Sequence, residues 1–143
     1  MNQDLEKFVD AHNSYYETAL KEIRNGYKES HWMWFIFPQI DGLGESAMSK
    51  RYAIKDADEA RAYMKDELLA NHMIEICEAL LSLDTNNPGD VFDWPDDLKL
   101  KSSMTLFAEA LPDVDIFQKV LDKFYNGKKD SETIRILNQR TKI

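Results

Sequence analysis

The sequence predicts an all-α fold: a compact, single-domain multihelical bundle of about six helices. Three observations carry this. Apolar residues recur at three- and four-residue spacing through successive segments, which gives each segment one buried face. The 143 residues fit one domain, 1–143, long enough to build a core without a disulfide or metal staple. Only 5 Gly and 4 Pro leave little room for long loops.

The first helix spans residues 4–25, with Leu5, Phe8, Val9, His12, Tyr15, Tyr16, Ala19, Leu20 and Ile23 on one stripe and Arg24-Asn25-Gly26 as its stop. His12 on that stripe reads as a structural, hydrogen-bonded histidine. After a polar link comes the densest apolar window of the chain, HWMWFIFPQ at residues 31–39. It does not alternate, and no second strand is available to pair with it, so a short helix ended by Pro38 is the expected form. Residues 41–46 hold the chain's Gly-x-Gly, a tight loop before a short helix capped by Ser46. Asp56 caps the next helix, with Glu59 three residues on. A break falls at residues 65–67, and a longer helix follows through Leu69, His72, Met73, Ile76, Cys77 and Leu80. His72 also reads as structural. Residues 84–90 are a loop, Pro95 a first helical position, and Leu98 to Leu111 mark a helix that Pro112 ends. Two further helices follow, one opened by Asp113 or Asp115 and the last by Asp130 or Ser131.

With 18 Lys+Arg against 26 Asp+Glu, the formal net charge is -8, which argues against nucleic acid as a partner. A local basic patch still suits a small anion, because net charge describes the far field. The single cysteine, Cys77, lies in an apolar pattern and reads as a core residue in a reducing compartment. The polar start predicts no signal peptide, and residues 32–37 are far short of the ~20 a membrane helix needs. A cytoplasmic location is the expectation. The sequence sets no oligomeric state.

No metal site is expected. His12, His31 and His72 are widely separated and lack zinc-ligand spacing. No Gly-x-Ser-x-Gly elbow and no Walker motif occur, and no cofactor is implied. Two polar-aromatic clusters remain. One joins His31, Trp32, Trp34, Gln39, Ser46, Arg51 and Tyr52; the other joins Lys99, Ser102 and Ser103, at helical spacing. Lysine beside two hydroxyls suits a phosphate or carboxylate, tryptophan suits a flat ring, and histidine suits proton transfer. The plainer alternative is a serine pair bonded back to helix carbonyls.

HWMWFIFPQ, GLGES, RYAI and PDDLKLKSSMTLF together resemble the signature stretches of a bacterial domain-of-unknown-function family, family 1810, over residues 5–137. Its members often carry the label calpastatin and resemble the mycobacterial Rv1873-like helical fold. The resemblance implies a mainly helical single domain and no known activity. The label would imply an animal-type protease inhibitor, whose disordered, aromatic-poor repeats this chain does not match. The family's Pro-Leu-Gly-like break has no counterpart at residues 65–69.

Two functional readings stand side by side. In the first, a small anionic, nucleotide-like metabolite binds in a cleft between HWMWFIFPQ and KLKSSMT. His31 is then the acid/base candidate, Trp32 and Trp34 the stacking surface, and Arg51, Lys99, Ser102 and Ser103 the anion contacts. Whether such a domain is an enzyme is left open. In the second, the chain is a non-enzymatic protein-interaction module and its signature residues maintain the fold.

Overall fold

A computed structural model of the chain describes residues 3–140. Nine helices form among them: α1 (Gln3–Arg24), α2 (Met33–Ile36), α3 (Ala47–Arg51), α4 (Ala57–Lys65), α5 (Glu67–Leu81), α6 (Pro88–Val91), α7 (Asp96–Ala110), α8 (Ile116–Tyr125) and α9 (Ser131–Arg140). The fold is all-α, as expected, but the count exceeds six because α2, α3 and α6 are one-turn pieces. α6 lies in the segment expected to be a loop. There Asn87 accepts from the Gly89 N–H and Pro88 occupies the first turn, so the Asn-Pro-Gly signal starts a helical turn instead of only interrupting the chain.

Caps fix the boundaries. Asp66 ends α4 and caps α5, its carboxylate accepting from the Leu69 N–H at 3.0 Å. Asp130 opens α9 by accepting from the Thr133 N–H and hydroxyl. α1 stops where Gly26 takes φ +87°.

α7 is the central helix. Residues 102–108 are buried without interruption, because α4, α6, α8 and α9 pack around it. α5 joins the two halves by packing on both α1 and α8. A chain of aromatic contacts runs through the core: Phe35–Tyr52, Tyr52–Phe8, Phe8–Tyr63, Tyr63–Phe107 and Phe107–Phe117, with centroids 5.2–5.6 Å apart. HWMWFIFPQ therefore works mainly as a core plug. A parallel bridge pairs Ile40 with Ile54, and Arg140 of α9 pins it by donating to the Lys55 carbonyl at 2.8 Å. Among the described residues no helix is long and apolar enough to cross a membrane.

Candidate functional site

The structure divides the expected site residues among four surroundings. Trp32 is fully buried, and its indole N–H donates to Glu22 Oε1 at 2.9 Å. It is thus a core residue and offers no face to a ligand. Ser102 and Ser103 are buried as well. The Ser102 hydroxyl donates back to the Leu98 carbonyl at 3.3 Å, and Ser103 Oγ has no partner among the described residues. Ser102 follows the back-bonding alternative and Ser103 does not, and both lie buried in α7, turned away from the surface an anion would reach.

Lys99 does meet the aromatic segment, with Nζ 5.8 Å from the Trp34 ring centroid. Its charge is engaged, however. Lys99 Nζ and Lys28 Nζ clasp Asp96 from both sides, at 3.3 and 2.9 Å, and Lys28 also lies over Trp32. The two signature stretches therefore touch through a charge network. Trp34, Gln39, Gly42, Gly44, Ser49 and Tyr52 line a hollow of about 10 Å³, the size of one water. Ser46 acts as the cap of α3, accepting from the Ser49 N–H at 3.1 Å.

His31, Arg51 and Tyr52 come together. With Lys7, Asp10 and Tyr15 of α1 they line an open groove of about 350 Å³. His31 and Arg51 are exposed, and Tyr15 is exposed with its ring 5.4 Å from Phe35. Among the described residues Lys7 and Arg51 make no ion pair; they lie over the Phe8 and Tyr52 rings. Two cations and a histidine thus face a single carboxylate, Asp10, in a chain of net charge -8.

Two polar centres escaped the sequence reading. Glu22 accepts the N–H groups of Glu29 and Ser30, the Ser30 hydroxyl and the Trp32 indole, at 2.6–2.9 Å. Burial works to raise this carboxyl, but the four bonds outweigh it and hold it at about 2. Only the spacing from Glu22 to the Glu-Ser-His-Trp turn hinted at it.

The second centre pairs two histidines read separately as structural. His12 Nδ1 lies 2.9 Å from His72 Nδ1, and His12 Nε2 lies 2.8 Å from the Phe35 carbonyl, with the Tyr63 hydroxyl 3.2 Å away. Burial lowers His12 to about 4, against the pull of the carbonyl, and lowers His72 too. Tyr16 lies face to face with His72 at 3.5 Å and donates to Glu75 Oε1 at 2.6 Å. His12 and His72 sit on the apolar stripes of α1 and α5, and that placement, one residue at a time, was the available signal. Cys77 is buried beside Met104 and Met73, with its thiol pushed up by burial, in keeping with a core role. No group of three or more potential metal ligands gathers among the described residues.

A family model described as "Protein of unknown function (DUF1810)" matches residues 2–137. A solved structure of the conserved hypothetical protein Rv1873 from Mycobacterium tuberculosis is similar, with 41% identity and a TM-score of 0.92. The match covers 94% of this chain and 96% of that one. No curated protein matches the chain.

Proposed function

The chain belongs to the DUF1810 family, whose description assigns no function, and from its groove we propose that it is a small-ligand-binding domain for a compact anion carrying a flat ring, such as a nucleotide-like metabolite. The observation that supports this is the groove between α1 and the α2–α3 segment. Lys7 and Arg51 supply donors and positive charge there, His31 adds ring nitrogens, and the exposed Tyr15 ring supplies a stacking face. Local charge of this sign in an acidic chain would draw an anion to one place on the surface. His31 is the residue placed to exchange a proton with such a ligand. The reading moves the site away from Lys99, Ser102 and Ser103 and retains His31, Arg51 and Tyr52.

A thermal-shift screen with nucleotides, sugar phosphates and carboxylates tests it. A ligand present at a hundred times its Kd stabilises by about 2.7 kcal/mol. Arg51→Ala and Lys7→Ala should fold normally and lose that shift. The reading fails if no anion shifts the transition, or if the shift survives both substitutions.

The second reading, a protein-interaction module, has its own observation. Trp94 is 77% exposed, and Leu98 and Tyr27 are also exposed, on the α6–α7 side of the molecule. Trp94→Ala should then abolish capture of a partner without altering any metabolite shift.

A further inference from the structure

The His12–His72 pair lies at a second open groove, of about 530 Å³, between α1 and α5. Its hydrogen positions follow from its contacts. A carbonyl only accepts, so the proton on His12 is on Nε2, facing Phe35. The 2.9 Å contact between the two Nδ1 atoms then needs one hydrogen, and His72 supplies it. His72 Nδ1 points inward to His12, so Nε2, across the ring, is left to the groove; among the described residues it has no partner. The ring is held in plane by Tyr16, stacked at 3.5 Å and anchored by its hydroxyl to Glu75 Oε1 and the His72 carbonyl.

The rest of the groove lining accepts more than it donates. Glu17 and Glu75 bring carboxylates, and the lining includes no Lys or Arg. Arg24 reaches Glu75 Oε2 only at 3.9 Å, with both side chains about half exposed, so the Glu75 charge stays available. A fixed nitrogen lone pair beside carboxylates calls for a ligand that supplies N–H donors and positive charge together.

We propose that this groove binds a small organic cation, an ammonium or guanidinium, which donates to His72 Nε2 and is balanced by Glu75. The ligand takes the place that Arg24 only approaches. The contacts proposed here, His72 and Glu75, do not line the anion groove, although Ser14 lines both grooves.

Long-range ¹H–¹⁵N spectra of the full chain with labelled histidines test it, with agmatine and putrescine as probes. Tetramethylammonium, which carries the charge without N–H donors, is the control. In the free protein His72 should carry its proton on Nδ1 and His12 on Nε2. Agmatine or putrescine should move the His72 Nε2 resonance and leave His31 unmoved, while tetramethylammonium should not act. Glu75→Gln, which still accepts from Tyr16, should weaken binding roughly tenfold, Arg24→Gln should tighten it, and Arg51→Ala should change nothing. A His72 proton on Nε2 in the free protein, an unmoved Nε2 at saturating millimolar amine, or equal action by tetramethylammonium would overturn the proposal.

Discussion

Two buried centres, the His12–His72 pair and Glu22, set how this protein should respond to acid, and they act in different pH windows. His12 is held neutral, at about 4, while the unfolded chain protonates it near 6.5. Its contribution is therefore complete above pH 6.5 and is lost as pH falls toward 4, amounting to about 3 kcal/mol. His72, also lowered, acts with the same sign. Glu22 is held at about 2 against an unfolded value of 4.5. Its contribution is complete above pH 4.5 and fades as pH falls toward 2, again about 3 kcal/mol. Urea midpoints measured from pH 8 to pH 3 should fall in two stages. His12→Asn should flatten the upper stage and Glu22→Gln the lower one, each at a cost of about 2–3 kcal/mol at neutral pH. A single stage centred near pH 4.5, unchanged by His12→Asn, would show that the buried pair is not held neutral. Neither centre was legible as a centre. The spacing placed His12 and His72 on apolar stripes, which identifies them as inward-facing, but partnership across sixty residues is a property of helix packing and leaves no local trace.

At the scale of elements, far more was readable, because caps and apolar spacing are local. Asp56, Asp66 and Ser46 each cap the helix that follows, through a bond to the N–H three residues on. What misled was α7. Its first turn, with Leu98 and Lys99, reaches the surface, but the neighbouring helices bury Ser102 and Ser103 one turn on. The signature hydroxyls of α7 should accordingly differ in worth. Thr105 Oγ1 accepts from the Asp130 N–H at 2.9 Å and so ties α7 to the start of α9. Thr105→Val should cost about 1 kcal/mol by stranding that partly buried donor. Ser103→Ala removes a hydroxyl with no partner and should be neutral or stabilising by thermal melt; a large loss would mean that Ser103 has a partner in solution. The Gly-x-Gly loop is likewise structural in its geometry. A Cβ on Gly44 would lie 2.5 Å from Ser49 Cβ, at the first turn of α3. Gly44→Ala should cost about 1–3 kcal/mol, relieved by Ser49→Gly and not by Ser49→Ala, since it is the Ser49 Cβ itself that obstructs.

At the scale of the whole molecule, the question is whether the two halves flanking residues 84–90 fold as one unit. We propose that they do, because contacts cross that segment on every side. α5 packs on α8, α4 packs on α7, and the Lys123 ammonium donates to the Leu83 carbonyl at 2.7 Å. The tryptophans make the proposal measurable. Trp32 is fully buried in the first half, whereas Trp94 is 77% exposed and reports little on packing. In Trp94→Phe, fluorescence should follow Trp32 and the partly buried Trp34, while far-UV circular dichroism averages all the helices. If the core is continuous, the two urea transitions coincide in midpoint and slope, as in two-state unfolding of a single domain. Glu22→Gln, which loosens only the Trp32 surroundings directly, should shift both transitions together. Separate midpoints, or a shift confined to fluorescence, would instead make the aromatic segment and α1 a unit that opens on its own. That outcome would place both grooves, each built on α1, in the less stable part of the molecule.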